Sequence, residues 1–298
     1  MTDPTPPARS ANSWTGRRVL NFAHQGGARE QPSSTLAAFR AALAAGADAL
    51  EMDVHCSADG HLVVCHDPTV DRTTNGTGRI ADLTLAQLSA LDNAYWWVPG
   101  EVVDHDADEH AYVLRGRAPS DPGYGIATLE AVLDAFPDVL INLDIKESVP
   151  DVPPYERRLA DLLRAHGRTD DVIVASFIDA ALDAFAGYAP EIPTSAGPRA
   201  VSLLAMALAT GGTIPAEVTR HAAVQVPPRF AGTDVVTAES VARAHDAGLA
   251  VHVWTIDDPD EMVRLIGLGV DGIMSDWPSV CALVLDLRGA GRAGPAAV

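Results

Sequence analysis

The strongest constraint in this chain is a repetition. Eight short runs of β-forming residues follow one another between residues 19 and 287, separated by stretches whose apolar residues recur at helical spacing. The expected strands are 19–24, 49–54, 139–146, 172–176, 194–197, 224–226, 250–256 and 271–275. Parallel strands need long crossovers, which helices supply, so βα alternation sustained over ~250 residues implies an α/β fold closed as a (β/α)8 barrel. A doubly wound open sheet is the alternative, and no GxGxxG fingerprint supports it. Active sites of such barrels lie at the C-terminal ends of the strands. His24, Glu51, Asp53, Asp144, Lys146, Trp254 and Asp276 all fall at or near those ends.

The stretch EMDVHCSADGHLVVCHD, residues 51–67, carries the densest chemistry. Side chains alternate along a strand, so Glu51 and Asp53 share one face while Leu50, Met52 and Val54 share the other. Asp59-Gly60 between two β-forming runs signals a hairpin turn. With residues 59 and 60 as the turn, Asp53 is expected opposite His66, their Cα atoms ~4.5 Å apart. An isolated hairpin of this kind usually just presents its charges to water. Its place at a barrel mouth makes it a candidate site instead.

The formal charge of −19 argues against nucleic acid or an anionic membrane surface as the main partner. No apolar run is long enough to span a bilayer and none resembles a signal peptide, so no stable membrane insertion and a cytoplasmic location are expected. Cys56, Cys65 and Cys281 cannot all pair, and are expected as small buried hydrophobes. Lys146 is the only lysine among 21 basic residues. An ammonium is a compact point charge where a guanidinium is a broad fork. In 139–146 that lysine shares a face with Asn142 and Asp144, opposite Ile141, Leu143 and Ile145. Residues 1–15 and 288–298 are expected as loose tails around one barrel domain, 16–287. Ser33 or Ser34 should cap the first helix. Residues 93–127 fit neither period and read as an inserted lid or cap, with Tyr95, Trp96 and Trp97 as packing anchors more readily than as a binding box.

These segments resemble the glycerophosphodiester phosphodiesterase family. The similar stretches are AHQGGAREQPSSTLAAF at 23–39, GADALEMDVHCSADGHLVVCHDPTVDRTTNGTG at 46–78, ATLEAVL at 127–133, INLDIK at 141–146, ASF at 175–177 and VWTIDDPDEMVRLIGLGVDGIMSDWP at 253–278. The resemblance implies a metal-dependent phosphodiesterase on a TIM (β/α)8 barrel, acting on a small-molecule phosphodiester. It makes His24 and His66 the acid/base pair, Glu51 and Asp53 metal ligands, and Lys146 a neutraliser of phosphate charge. Asp144 stands where the family usually has a glutamate ligand, Trp254 matches a tryptophan on the substrate side, and Ser176-Phe177 matches a serine-phenylalanine pair. Two departures stand out: His24-Gln25 replaces the family's HR, and Pro32-Ser33-Ser34-Thr35 replaces its PENT. A charge of each sign is lost together, which fits a coherent subtype. Gln25 can still donate a neutral hydrogen bond to phosphate, about half as strong as a charged one.

Three carboxylates, with no cysteine or paired-histidine motif, suit one hard divalent cation, Mg²⁺ or Ca²⁺. Hydrolysis of glycerophosphodiesters is the first expectation. Lysophospholipase D or sphingomyelinase D-like action on a lipid is the nearer rival, and a non-catalytic metal- or phosphate-binding barrel is a second. His55 and His252 are expected to face the same region. No G-x-S-x-G elbow, P-loop or CxxC is present, which removes serine-hydrolase, nucleotidase and thiol chemistry.

Overall fold

The computed structural model describes residues 12–16 and 18–290. Of the tails expected over 1–15 and 288–298, residues 1–11 and 291–298 lie outside the described residues.

Seven parallel strands form the barrel wall: β1 (Leu20–Ala23), β2 (Ala49–Cys56), β4 (Leu140–Ile145), β5 (Val172–Ala175), β6 (Ala223–Val226), β9 (Ala250–Val253) and β10 (Gly272–Ser275). They pair in the order β5-β4-β2-β1-β10-β9-β6. Residues 194–195 close the ring, with single parallel bridges from Thr194 to Val174 and from Ser195 to Ala223. All eight expected staves are therefore present, and this one is reduced to a pair of bridges. β3 (Leu62–Val64) is the return arm of the hairpin on β2, while β7 (Arg229–Phe230) and β8 (Thr233–Asp234) make a small ribbon after β6.

Helices α1 (Leu36–Ala44), α3 (Leu129–Ala135), α4 (Glu156–Ala165), α5 (Asp179–Tyr188), α6 (Pro198–Thr210), α8 (Ala238–Asp246), α9 (Pro259–Leu268) and α10 (Pro278–Leu287) accompany the staves, with single turns α2 (Leu85–Leu88) and α7 (Ala216–Thr219) between them. Local chemistry sets their starts. Thr128, Thr237 and Asp258 accept backbone N–H groups at three N-caps, and proline opens α6, α9 and α10. α1 is capped by Thr35, whose hydroxyl accepts from Ala38 N at 3.1 Å. The expected caps Ser33 and Ser34 fall just outside, because Ser34 adopts a left-handed conformation, φ 60°.

Period-2 alternation divides the wall as expected. Outward residues such as Leu50, Met52, Ile141, Leu143 and Val174 pack with Leu129, Leu159 and Phe185 of the helices. Inward residues Leu20, Phe22, Ala49, Ile173, Ala223, Ala250 and Met274 fill the lower barrel around Trp14. That tryptophan, 1% exposed, corrects the tail expected over 1–15. Asn12 ties it down by donating to the carbonyls of Ala222 and Gly248 at 2.6 and 2.8 Å. Burying a large aromatic ring outweighs the entropy of ordering a few residues.

The hairpin carries the main correction. Val54 pairs with Val64, His55 with Val63 and Cys56 with Leu62. Cys65, not His66, therefore lies opposite Asp53, and its N–H donates to Asp53 O at 3.1 Å. The cause is a three-residue loop, 58–60, in which Gly60 takes φ 85° and Gly60 N donates to Ser57 O. Ser57 Oγ fixes that loop by donating to Asp59 Oδ1 and accepting from His61 N.

Residues 93–127 hold two 3-10 turns and no longer element. Arg115 lies over the rings of Tyr95, Trp96 and Tyr112 at 4.3, 4.7 and 3.6 Å, so the aromatic run serves as the anchor expected. Among the described residues, no helix is long and apolar enough to cross a membrane.

Midway up the barrel, Gln225 Nε2 donates to Asn142 Oδ1 at 2.6 Å and lies 3.2 Å from His252 Nδ1. His252 is wholly buried against Phe22, which corrects its expected place near the site, and burial pushes its pKa down to about 3. Below its ordinary value of 6.5 the unfolded chain takes up a proton that the folded chain refuses. Stability from this residue is complete above that pH and falls as pH drops toward about 3, by up to ~1.4 kcal/mol per pH unit. Urea melts between pH 7 and 4 should show a shallower decline for His252→Leu than for the native chain; equal slopes would refute this assignment.

Candidate active site

The C-terminal rim gathers its polar groups from four neighbouring staves, β10, β1, β2 and β4. Parallel register places Asp53 directly beside Asp144, and Glu51 beside Asn142 one step deeper. All three carboxylates are buried. Lys146 sits across two of them, its Nζ 3.1 Å from Asp53 Oδ1 and 3.4 Å from Asp144 Oδ2. Burial works against its charge, but Asp53 and Asp144 outweigh that and raise its pKa. Glu51 is raised by burial and by Asp53, and Asp144 likewise by burial and by Asp53. Both shifts report negative charge crowded into a dry place.

His24 follows β1 directly. Its Nδ1 lies 2.7 Å from Asp276 Oδ1, at the end of β10, which turns Nε2 into the rim 3.9 Å from Glu51 Oε2. Burial opposes protonation of this ring, but Glu51, Asp276 and Asp53 prevail and raise its pKa. Gln25 is buried in a left-handed conformation, φ 50°, with its N–H donated to Glu51 Oε2 at 2.9 Å and its side-chain Nε2 3.4 Å from His24 Nε2. Ser34 N donates to Gln25 O at 2.8 Å, which joins the segment before α1 to the turn after His24.

His66 reaches the rim although the hairpin register is one residue from that expected. Pairing stops at Val64, and His66 leaves the strand in a bend. There it lies close enough to Asp144 to oppose the rise of that carboxyl's pKa. Its Nδ1 is 2.6 Å from Asp67 Oδ1, and Arg72 Nε donates to Asp67 Oδ2 at 2.5 Å. Burial would raise the Asp67 carboxyl, but bonds from His66 and Arg72 hold it far below the usual range. Buried His55 faces Glu147 Oε2 at 2.8 Å through Nδ1 and the His66 carbonyl at 3.3 Å through Nε2. Glu147 in turn accepts from Arg79 at 2.9 Å. His24 and His66 thus each have Nδ1 on an aspartate and Nε2 left for chemistry. Sequence reasoning assigned no role to Asp276 or Asp67. Asp276 at a strand tip and Asp67 beside His66 were the signals available.

Trp254 stands at the end of β9, edge-to-face with Phe177 at 5.7 Å. Ser176 precedes Phe177 in the loop after β5. Its hydroxyl donates to Ile145 O at 2.7 Å and accepts from Ile178 N at 3.0 Å, steadying the loop that carries Phe177.

The donor set suits a hard cation. Asp53 Oδ2 and Asp144 Oδ1 are buried without a hydrogen-bond partner, a costly state that a cation would relieve. Among the described residues no three His, Cys, Asp or Glu side chains already converge as a metal-binding group; Lys146 supplies the positive charge between Asp53 and Asp144. His105 stacks on Trp96 at 4.6 Å and bonds the Arg72 carbonyl.

The sequence profile of the glycerophosphoryl diester phosphodiesterase family matches residues 24–280. The chain is 31% identical over 264 residues to a glycerophosphodiester phosphodiesterase of Caldanaerobacter subterraneus subsp. tengcongensis, covering 88% of this chain and 95% of that protein. It is 30% identical over 288 residues to a glycerophosphodiester phosphodiesterase of Bacillus subtilis, covering 94% and 91%. The crystal structure of a glycerophosphodiester phosphodiesterase from Agrobacterium tumefaciens superposes with a TM-score of 0.67 at 25% identity, over 89% of this chain and 99% of that one. The barrel, the rim and these likenesses agree: the chain belongs to the glycerophosphoryl diester phosphodiesterase family.

Proposed function

We propose that this chain hydrolyses glycerophosphodiesters to glycerol phosphate and an alcohol, with His24 and His66 as acid and base and one divalent cation, Mg²⁺ or Ca²⁺, held by Glu51, Asp53 and Asp144. The observation that carries the reading is the pair of aspartate-oriented histidines, His24 on Asp276 and His66 on Asp67, at the same rim as three buried carboxylates and the only lysine.

The cation, when bound, polarises a phosphoryl oxygen and lowers the pKa of the attacking hydroxyl. The protein's own groups do the rest. Lys146 offsets charge on the phosphoryl group as the transition state forms. One histidine takes the nucleophile's proton through Nε2 and the other delivers a proton to the leaving alcohol. Asp276 and Asp67 keep each ring turned so that Nε2 faces the substrate, as the aspartate of a hydrolase triad does. Gln25 can offer an amide N–H to a phosphoryl oxygen where the family uses arginine, and Trp254 and Phe177 wall the side away from the carboxylates.

His24→Ala and His66→Ala should each lower turnover of glycerophosphocholine at least ~10²-fold, read as glycerol phosphate release, while melting temperature stays near native. Near-normal turnover in either variant would remove that histidine from the mechanism. Dialysis against a chelator should abolish activity, and Mg²⁺ or Ca²⁺ should restore it; full activity after metal removal would exclude the cation.

His55 acts through His66, so His55→Gln should lower kcat by on the order of 10-fold with KM little changed. In a His66→Gly background rescued by free imidazole, His55→Gln should have no further effect. A further loss there, or a change confined to KM, would show that His55 does not position His66.

A further inference from the structure

Asp257 and Asp258 are neighbours in the loop between β9 and α9. Asp258 caps α9, accepting from Asp260 N at 2.8 Å. Asp257 serves the end of the next stave instead. Its Oδ1 accepts from Asp276 N at 2.9 Å and from Ser275 Oγ at 3.1 Å, and its Oδ2 accepts from Arg29 Nε at 3.3 Å. These bonds close around Asp276, the residue whose carboxylate turns the His24 ring. While Asp257 holds the N–H of Asp276, the Asp276 carbonyl accepts from Arg29 N at 3.3 Å. The residues on either side are joined as well, because Ser275 Oγ donates to Asp257 and accepts from Trp277 N at 3.0 Å.

Pairing of β10 with β1 ends at Ser275, so the sheet itself does not fix Asp276. A carboxylate can aim a ring only as well as its own backbone is held, and small misplacements of a reacting group are costly. We propose that Asp257 is a positioning residue for His24: by fixing the backbone at Asp276 it sets the direction in which His24 Nε2 faces the reacting phosphoryl group. The proposal deepens the hydrolytic reading above and rests on it for its effect on turnover. Arg29 extends the clasp, since its Nη1 donates to Gly100 O at 2.8 Å while its Nε is on Asp257. The two oxygens of Asp257 have separable roles. Holding Ser275 and Asp276 asks for one acceptor oxygen, which the amide of an asparagine also supplies; only the Arg29 side requires the second.

On glycerophosphocholine, Asp257→Ala should lower kcat by about 10-fold with KM little changed, whereas Asp257→Asn should keep kcat within about 2-fold of native. Equal losses in the two variants, or a change confined to KM, would overturn the proposal. Proton NMR on the chain labelled with 15N-histidine tests the positioning without turnover. The Nδ1 proton that His24 shares with Asp276 should give a low-field resonance, and so should that of buried His55 on Glu147; each is assigned by its loss in His24→Gln or His55→Gln. The His24 resonance should move in Asp257→Ala and stay in place in Asp257→Asn, with the His55 resonance unmoved in both. Absence of the His24 resonance from the native chain, its indifference to Asp257→Ala, or equal movement of both resonances would overturn the assignment of Asp257 to His24. A native chain that releases no glycerol phosphate, but whose His24 resonance still follows Asp257 in this way, would sink the hydrolytic function and leave the positioning of His24 standing.

Discussion

Parallel pairing of β2 with β4 sets Asp53 beside Asp144 at the dry end of a closed barrel, and much of the rim answers to that crowding. Two carboxylates cannot be buried side by side without a cation or a proton nearby. Lys146, two residues after Asp144 on the same face, is the permanent positive charge in contact with both. Its ammonium fits between two carboxylates where the wide fork of a guanidinium would need a broader opening, which gives a reason for one lysine in a chain that otherwise uses arginine. The unpartnered oxygens of Asp53 and Asp144 mark what the lysine leaves uncompensated.

The wall of the barrel was legible because its code is local. Period-2 alternation in ALEMDVHC and LINLDI separates core from rim residue by residue, and all eight staves followed from such runs. The hairpin register was not legible, since Asp-Gly serves a two-residue turn and also a three-residue loop with glycine left-handed at its end. Hydrogen bonds of Ser57 to Asp59 and His61 select the second, and they depend on a hydroxyl outside the turn signal. His66 still reaches the rim because it lies beyond the last paired residue, where register no longer dictates which way a side chain faces. The burial of Trp14 and the pairing of Asp276 with His24 were hidden for another reason. The bond between His24 and Asp276 spans 252 residues, and only closure of the ring brings β1 beside β10.

Gln25 and Ser34 meet beside His24 through their backbones alone. The backbone of Ser34 bonds that of Gln25, and both Gln25 and Ser34 hold left-handed φ values without being glycine. Strain of that kind costs on the order of 1–3 kcal/mol per residue and persists where the surroundings enforce it. Here the enforcing contact is Gln25 N–H on Glu51, which needs the chain to reverse immediately after His24. At these buried positions the backbone carries the connection, joining Gln25 to Ser34 on one side and to Glu51 on the other.

Residues 93–127 have a mechanical role that their irregular sequence conceals. Trp97 donates to Ala28 O, and Gly100 exchanges hydrogen bonds with Arg29, all within the loop that carries His24. Trp96 donates to Thr74 O and His105 bonds Arg72 O, within the loop that carries His66. Adjacent tryptophans therefore fasten the two loops to one body, and Arg115, clasped by Tyr95, Trp96 and Tyr112, stiffens that body from inside. His24 and His66 reside on loops from different staves, and a pair of groups proposed to act on one phosphoryl centre needs its spacing fixed to within about half an ångström. The barrel alone fixes strand ends; the brace across the two loops extends that order to the histidines themselves.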